Sequence, residues 1–465
     1  MHRRPWLLAF GETVIAFARR RIFERGALIL VGTSALSYAL GVMRDRVLAS
    51  TFGASDAFDA YQASFIIPDF LFNLFAAAAL SAAFIPVFTD LRTQHRETDA
   101  ARLAGTILAF GGVALLLVGG GVFLFAEPLA ALVAPGFAPE KHHLLVQLTR
   151  LMLLSPLLFL VSNLLGSMLV SSKRFLFYGL SPALYNLGII AGALVLAPRF
   201  GILGVTLGTL CGATLHLLAR IIDARRAGLR LLPTFQTSPH LRKVVLLMLP
   251  RIAGLAGIQL QLWAFTAIAS TLGEGAVTVV NLARNFQSFP VSLVGIAFAT
   301  SLFPLLAEAA SHRARDAYVR RLLRGAFATL AITIPAALVL YVLRVPLITI
   351  FLGTGAFHTD AILRTAAVLG VYTLSIPAES LAHILARGFY ALHNTLLPTL
   401  FRLLGIGISI TASVILAGRL GPIGIPAGFA LGEGAHVIAL AIVLWLWTRR
   451  TFAPRAAAIS ASPIE

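Results

Sequence analysis

Long apolar runs separated by short polar breaks dominate the chain from residue 27 to residue 447. Runs of roughly 18 residues or more are long enough for a helix to cross a hydrocarbon core of about 30 Å. The alternation of runs and breaks predicts about twelve spans. They lie near residues 26–50, 57–89, 103–126, 144–171, 178–197, 201–219, 243–271, 276–307, 322–343, 362–391, 396–418 and 422–447. The pattern predicts an all-α polytopic membrane protein.

Composition and charge agree with this prediction. Of the residues, 58% are hydrophobic and 12% are charged, and the mean hydropathy is +0.89. A net charge of +18 would suggest nucleic acid for a soluble chain. Here the basic residues fall almost wholly in short loops, so nucleic-acid binding is not expected. The single cysteine, Cys211, lies in an apolar segment, and we expect neither a disulfide framework nor a metal site.

Basic residues alternate from loop to loop, which predicts the orientation of the chain. They cluster at the N-terminus, at Arg92/Arg96/Arg102, Lys173/Arg174, Arg220 to Lys243, Arg313 to Arg324 and Arg449/Arg450/Arg455. By the positive-inside rule, both termini are predicted to be cytoplasmic, which requires an even number of spans. We therefore expect a cytoplasmic N-terminal segment at 1–25, a basic cytoplasmic linker at 221–242 and a cytoplasmic tail at 448–465.

The two halves of the chain resemble each other. Gly204, Gly208, Gly212 and His216 recur 220 residues later as Gly424, Gly428, Gly432 and His436, and Thr51 and Gly53 recur at the same offset as Thr271 and Gly273. Because each half holds six predicted spans, the repeat is predicted to be parallel. We expect two six-helix lobes, 26–220 and 243–447, around a central cavity. The rows of glycine are predicted to let neighbouring helices approach closely.

Ionisable residues inside the predicted spans are few, and such residues usually face a cavity or a partner. They include Arg44, Asp45, Arg46, Asp59, Asp69, Arg251, Arg284, Glu379, His383, Arg402 and Glu433. Arginines lining a cavity would suit a phosphate or diphosphate, which a guanidinium binds through two donors.

Each of these residues also has a purely structural interpretation. Arg44 and Arg46 can mark a helix end at the interface, with Asp45 as a local ion partner. Arg251 and Arg402 can extend from helix ends to the cytoplasmic surface. Glu379 can pair with His383 on its own helix. We interpret His216 and His436 as packing residues.

Motifs of catalysis are missing from the sequence. It has no Gly-x-x-x-x-Gly-Lys phosphate loop, no His-Glu-x-x-His helix, no cysteine pair and no Gly-x-Ser-x-Gly elbow. We expect no catalytic residue, no cofactor and no ATP-driven transport by this chain. The candidate energy sources are an ion gradient, the membrane potential and the substrate's own gradient.

An ordered set of short motifs runs from about residue 32 to residue 440. It includes Gly41-Val-Met-Arg44-Asp45, Phe52-Gly53-Ala54, Asp56-Ala-Phe-Asp59-Ala60, Pro68-Asp-Phe-Leu-Phe-Asn-Leu-Phe75-Ala76, Pro135-Gly136-Phe137-Ala138, Gly353-Thr-Gly355-Ala-Phe357 and Arg387-Gly388-Phe389-Tyr390-Ala391-Leu392. No single motif is decisive, but the order of the set is specific. The set resembles the MurJ/MviN family of lipid II flippases.

The resemblance implies a fold of the multidrug/oligosaccharidyl-lipid/polysaccharide exporter type in a bacterial cytoplasmic (inner) membrane. It implies a flippase, not an enzyme, that moves the undecaprenyl-diphosphate precursor of peptidoglycan from the inner to the outer leaflet by alternating access. The implied partners are this lipid-linked oligosaccharide and membrane lipids, with cell-wall synthesis proteins as further candidates. The candidate substrate-binding residues are Arg44, Asp59, Arg251 and Arg284, and the candidates for gating or coupling are Asp45, Gln259, Glu379 and Arg387.

The chain departs from the family pattern at several charged positions. Uncharged residues stand there at Tyr38, Phe72, Asn73 and Ala77, and the family arginine of span eight falls on Asn285, beside Arg284. The family often has fourteen spans, against the roughly twelve that the apolar runs predict here.

Three alternatives follow. The first is an exporter of another undecaprenyl-linked glycan or amphiphile in the same superfamily. The second is a membrane enzyme such as a polyprenyl-phosphate transferase, which would need acidic clusters in loops that this chain lacks. The third is a non-transporting scaffold descended from flippases.

Overall fold

The computed structural model describes residues 25–77, 84–236 and 239–452, and this part of the chain is helical throughout, with short connections. In chain order the helices are α1 (Arg25–Phe52), α2 (Asp56–Ala63), α3 (Ile66–Phe72), α4 (Ile85–Thr93), α5 (Glu97–Leu124), α6 (Ala126–Val133), α7 (Pro139–Met152), α8 (Leu154–Ser171), α9 (Leu176–Ala191), α10 (Ala197–Phe200), α11 (Ile202–Arg226), α12 (Pro239–Ser270), α13 (Ala276–Pro290), α14 (Ala297–Ser311), α15 (Arg315–Val342), α16 (Arg344–Leu352), α17 (Thr359–Tyr372), α18 (Ser375–Ala391), α19 (Leu396–Leu420) and α20 (Gly424–Thr451). The prediction of an all-α protein is confirmed.

Seven helical segments of the described residues are long and apolar enough to cross a membrane. They are Glu97–Leu124, Pro139–Ser171, Leu176–Phe200, Ile202–Arg226, Ala276–Ser311, Arg315–Val342 and Leu396–Thr451. Helices α17 and α18, which bend by 41° at their junction, make an eighth if they count as one span. The chain is therefore a multi-pass membrane protein.

Several predicted spans are interrupted. The apolar run at 57–89 is divided into α2, α3 and α4, with a π-helical turn at Asn73–Ala77 after α3. Another π-helical turn, Val291–Ile296, follows Pro290 at the end of α13. A proline removes a backbone donor and crowds the preceding turn, so an irregular turn is expected near Pro290. Apolar periodicity alone does not locate such breaks.

Two compact units make up the described chain. The first comprises the described residues up to Thr51 together with Ser64–Leu129 and His143–Ala256. The second comprises Phe52–Ala63, Ala130–His142 and the described residues from Gly257 onward. Glycines hold the two short segments against the rest of the second unit. A Cβ on Gly53 would lie 2.5 Å from the Ala356 carbonyl oxygen, and one on Gly136 would lie 2.5 Å from that of Ser270.

Rows of glycine hold one helix pair together in each unit. In the first unit, a Cβ on Gly208 of α11 would lie 2.4 Å from the Cα of Gly192, in the π-helical turn that follows α9. In the second unit, a Cβ on Gly432 of α20 would lie 2.5 Å from the Gly405 carbonyl oxygen of α19. Backbones at this distance leave no room for a side chain. The structure thus confirms the packing interpretation of the glycine rows.

The repeat in the sequence is matched by a repeat in backbone conformation. Gly201, which precedes α11, has φ 57° and ψ −139°, and Gly421, 220 residues later, has φ 62° and ψ −144°. Only glycine adopts this conformation without strain. Lys173 and His393, also 220 residues apart, are left-handed with φ 57° and 58°.

Candidate functional site

Asp59 is fully buried in the second unit and accepts three hydrogen bonds. One of its carboxylate oxygens, Oδ2, lies 2.7 Å from Lys141 Nζ and 2.8 Å from the backbone nitrogen of Gly275. The other, Oδ1, lies 2.8 Å from the backbone nitrogen of Thr278. Gly275 is the N-cap residue of α13, and Thr278 lies in its first turn. Asp59 on α2 therefore caps α13, where a negative charge also meets the positive end of the helix dipole.

Lys141 supplies the positive charge of this cluster. Its side chain is 7% exposed, its Nζ also lies 2.6 Å from Oδ1 of the exposed Asp56, and it sits 4.1 Å from the centroid of the Phe137 ring. In the sequence, Asp59 stands out as an ionisable residue in an apolar run, whereas Lys141, near the start of α7, does not. The available signal was that a buried carboxylate needs a cation or several donors.

Arg44 and Asp45 form an ion pair on α1 in the first unit. Arg44 donates to Asp45 Oδ1 through Nη2 at 2.8 Å and Nε at 3.0 Å, and to Asn186 Oδ1 through Nη1 at 3.1 Å. The amide of Asn186 in turn donates to the Ser37 carbonyl at 3.2 Å. The local ion pair that the sequence offered as an alternative is present, and Asn186 of α9 extends it to a second helix.

The first unit also buries a cation that the sequence analysis grouped with the cytoplasmic loops. Arg220 of α11 is 3% exposed and donates to the Ser162 carbonyl and to Asn163 Oδ1, both at 3.0 Å. Its guanidinium lies 5.0 Å from the centroid of the Tyr178 ring. His216, one turn away, shares a 2.7 Å hydrogen bond with Ser162 Oγ. These contacts tie α8, α9 and α11 together and agree with a packing role for His216.

An ion pair joins the connection after α8 to α11. Arg174 donates to Asp223 Oδ1 through Nε at 2.9 Å and through Nη2 at 2.5 Å. The hydrogen bond and the charge of Asp223 raise the pKa of Arg174 above its ordinary value. Arg174 therefore keeps its charge throughout the physiological pH range.

Charged and polar side chains from four helices form a network in the second unit. Glu379 of α18 accepts a 2.8 Å hydrogen bond from Gln287 of α13, whose amide nitrogen also lies 3.1 Å from Ser375 Oγ. Arg402 of α19 pairs with Glu433 of α20, which is 3% exposed. Glu379 interacts electrostatically with the charges of Arg402, Glu433 and Arg284. Arg402 is thus paired inside the unit, in contrast to the alternative that it extends to the surface.

Arg284 lies on α13, one turn before Gln287, and is half-buried. Its guanidinium lies 5.4 Å from the centroid of the Phe429 ring. Its Nη1 atom is buried and has no hydrogen-bond partner among the described residues. A buried guanidinium nitrogen without an acceptor is costly and marks a site for a ligand or water.

The remaining candidates are Gln259, Arg387 and Arg251. Gln259 is half-buried on α12. Arg387 of α18 stacks 5.8 Å from the ring centroid of Phe303 and 5.6 Å from that of Tyr390. Arg251 falls within α12, and its side chain lies outside the described part of the chain. Within the residues that the structure describes, no group of three His, Cys, Asp or Glu side chains is placed to hold a metal ion.

Comparison with known families decides what kind of protein carries these features. A family model described as "Lipid II flippase MurJ" matches residues 48–462, which is most of the chain. The chain belongs to the MurJ family. This family consists of flippases, which are transporters and not enzymes.

Relatives of similar length support the assignment to the MurJ family. The probable lipid II flippase MurJ of Buchnera aphidicola subsp. Acyrthosiphon pisum is 30% identical over 380 residues, which cover 79% of this chain and 74% of the relative. The lipid II flippase MurJ of Burkholderia cenocepacia is 28% identical over 443 residues, which cover 92% of this chain and 85% of the relative.

Solved structures show the same fold. A lipid II flippase MurJ in an inward closed conformation matches with a TM-score of 0.78 and 23% identity, covering 90% of this chain and 87% of that one. An inward-facing multidrug resistance MATE family transporter of the MOP superfamily matches with a TM-score of 0.74 and 16% identity, covering 92% and 98%. At these identities the likeness establishes the fold, and the MurJ family shares this fold with MATE transporters.

Proposed function

We propose that this chain flips lipid II from the inner to the outer leaflet of a bacterial cytoplasmic membrane by alternating access. The observation that carries the proposal is the match of residues 48–462 to the lipid II flippase MurJ family. The membrane-spanning helices supply the setting, and membrane lipids surround them. Association with cell-wall synthesis proteins remains a prediction from the family resemblance.

Arginines within the membrane-spanning part bind the diphosphate in this proposal. Arg44, Arg251 and Arg284 are the candidates, since a guanidinium can donate two parallel hydrogen bonds to a phosphate. Asp59 supports the site in a different way, because it caps the helix on which Arg284 lies. For Asp45, Gln259, Glu379 and Arg387, the proposed role is gating or coupling. The ion pair with Arg44 supports this role for Asp45. The hydrogen bond that Gln287 donates supports it for Glu379.

The proposed architecture has twelve spans in two lobes, 26–220 and 243–447, related by a parallel repeat around a central cavity. The equal conformations of Gly201 and Gly421 and of Lys173 and His393 support the repeat. The segment Leu396–Thr451, which has 56 residues, also supports a number of spans above eight. A single crossing needs only about 20 residues, and this segment is divided at Gly421–Ile423.

The energy for flipping comes from the membrane potential or an ion gradient in this proposal. Charges buried within the membrane respond to the potential by about 2.3 kcal/mol per charge and 100 mV if they cross it fully. The network of Arg284, Glu379, Arg402 and Glu433 provides such charges. Collapse of the potential is expected to stop lipid II transport, and transport that continues unchanged would exclude this source.

Complementation tests the proposed function. A bacterium depleted of its own lipid II flippase receives this chain or its Arg44→Ala or Arg284→Ala variant, and outer-leaflet lipid II is assayed directly. Thr329→Val serves as control, because Thr329 is buried on α15 and lines no candidate site. We expect rescue by the chain and the control and loss of rescue in the arginine variants. Membrane expression without rescue would contradict lipid II transport and favour another undecaprenyl-linked substrate.

A further inference from the structure

A small cavity lies inside the second unit beside Arg284. Its lining comes from α12, α13 and α17 and includes Phe265, Asn281, Arg284 and Tyr372. About 10 Å³ is open to the centre of a water-sized sphere, which is enough for roughly one water molecule or one ligand oxygen. The cavity is therefore the size of a single hydrogen-bond acceptor.

Two residues of its wall carry hydrogen-bond donors that lack a partner in the described part of the chain. Tyr372 is fully buried, and neither its hydroxyl nor Arg284 Nη1 has a hydrogen-bond partner among the described residues. An unpaired buried polar group is destabilising, and more so when it is charged. Since both groups can donate and the guanidinium can only donate, the cavity favours an acceptor that carries negative charge.

The donors are held in place by aromatic packing. The Phe429 ring lies 5.4 Å from the Arg284 guanidinium, 5.8 Å from the Tyr372 ring centroid and 6.0 Å from that of Phe265. Rings packed at these distances restrict the rotamers of both donors. The donors are therefore oriented before any ligand arrives, which lowers the entropic cost of binding.

The position of Tyr372 in the fold is a separate observation. It is the last residue of α17, where the helix pair α17 and α18 bends by 41°. Interrupted helices at membrane depth are tolerated where the freed backbone is buried or lines a cavity, and binding sites often lie there. The break thus places Tyr372 at a location where a ligand site is structurally expected.

We propose that Arg284 and Tyr372 together bind one oxygen of a phosphate-class anion, with Tyr372 as a ligand-binding residue. The inference rests on the proposed function in one respect: the diphosphate of a lipid-linked precursor is such an anion. The cavity admits one oxygen, so the rest of the group lies outside it. The negative charge of Glu379 interacts with Arg284 and Tyr372 and disfavours the binding of an anion. The positive charge of Arg402 also interacts with Glu379 and offsets part of this effect.

Binding of two probes to the full chain in lipid nanodiscs tests the proposal. Farnesyl diphosphate represents a lipid-borne diphosphate, and inorganic pyrophosphate represents the free anion. Tyr372→Phe removes only the hydroxyl and keeps the ring against Phe429, and Arg284→Met removes the charge. Thr329→Val is the matched control. It removes another buried hydroxyl that has no partner among the described residues, and Thr329 does not line the cavity.

We expect Tyr372→Phe to weaken farnesyl diphosphate binding by about ten-fold, as loss of one hydrogen bond to a charged group implies. Arg284→Met should weaken binding further, and Thr329→Val should leave it unchanged. If pyrophosphate shows the same loss, the site recognises the phosphate itself. If only farnesyl diphosphate binding is weakened, the anion is lipid-borne.

Affinity that is unchanged in Tyr372→Phe overturns the proposal, whether or not Arg284→Met has an effect, and so does a chain that binds neither probe. The proposed function fails separately, through the complementation assay. A chain that binds farnesyl diphosphate through Tyr372 but rescues no flippase-depleted cell keeps this inference and loses lipid II transport.

Discussion

The buried pair of Asp59 and Lys141 shows what a cation contributes to a buried carboxylate in this protein. Lys141→Met would leave a fully buried carboxylate with two backbone donors and no cation. Breaking a buried pair in this way costs about 3–5 kcal/mol. We therefore expect a clear fall in the thermal stability of the detergent-solubilised chain, measured by size-exclusion chromatography after heating.

The exposed residue Lys173 provides the control for this experiment, since Lys173→Met changes the same side chain at a loop position. It should change stability by no more than about 0.5 kcal/mol. Adding Asp59→Asn to Lys141→Met should recover part of the loss, because the buried charge is then gone. Equal stability of Lys141→Met and the parent chain would mean that Asp59 does not need the lysine.

A substitution at Glu379 is predicted to strengthen anion binding, whereas the substitutions at Arg284 and Tyr372 are predicted to weaken it. Its carboxylate acts on both Arg284 and Tyr372, and its partner Gln287 can still donate to an amide oxygen. Glu379→Gln therefore removes a negative charge near the small cavity without removing the hydrogen-bond acceptor. We expect farnesyl diphosphate to bind about three- to ten-fold more tightly, as loss of a nearby like charge implies. Weaker binding in this variant would place the anion elsewhere.

At this scale the sequence identified the charged residues but not their partners. Asp59, Glu379, Arg402 and Glu433 stood out because ionisable residues are rare in apolar spans. Lys141 was missed because it lies 82 residues after Asp59, and spacing along the chain says nothing about a contact made through folding. Tyr372 carried no signal either, since a tyrosine in an apolar run is ordinary and only the cavity singles it out.

Helix pairs held by glycine are the clearest feature at the scale of elements, and α20 contains its own control. A Cβ on Gly432 would lie 2.5 Å from Gly405 O and from Ser409 Cβ, whereas one on Gly434 would meet nothing within 4 Å. Gly432→Ala must push α19 and α20 apart, at a cost of about 1–3 kcal/mol. Gly434→Ala should be neutral or stabilise the helix by up to about 1 kcal/mol.

The equivalent glycine in the first unit extends this comparison. A Cβ on Gly212 of α11 would lie 2.5 Å from the Tyr185 carbonyl oxygen, so Gly212→Ala should lower thermal stability as much as Gly432→Ala does. Similar stability of Gly432→Ala and Gly434→Ala would show that close approach is not what these helices require.

The elements that the sequence predicted well are those with long uniform periodicity. The glycine rows and the 220-residue repeat were visible because the same spacing occurs twice. The division at 57–89 and the bend after Tyr372 were not predicted, because the polar residues at these breaks, such as Ser64 and Thr373, are small and also occur within helices. Grouping of Phe52–Ala63 with the second unit was equally hidden, since it depends on contacts with residues more than 200 positions away.

For the molecule as a whole, orientation in the membrane is the property on which the direction of transport depends. Five arginines, Arg313, Arg315, Arg320, Arg321 and Arg324, lie around the start of α15. The connection between α16 and α17 carries none. From the positive-inside rule we therefore expect the start of α15 in the cytoplasm and its far end outside. At 28 residues and about 1.5 Å per residue, α15 is long enough to cross once.

Two histidines flank this crossing and permit a matched test. His312 and His358 are both exposed, and they lie before α15 and after α16. In a Cys211→Ser background, His312→Cys and His358→Cys are treated with a membrane-impermeant maleimide on intact spheroplasts. We expect label on His358→Cys at once and on His312→Cys only after permeabilisation, with no label on the cysteine-free parent. The reverse pattern would show that the chain has the opposite orientation in the membrane and would contradict the proposed direction of flipping. Label on both cysteines before permeabilisation would mean that α15 does not cross the membrane.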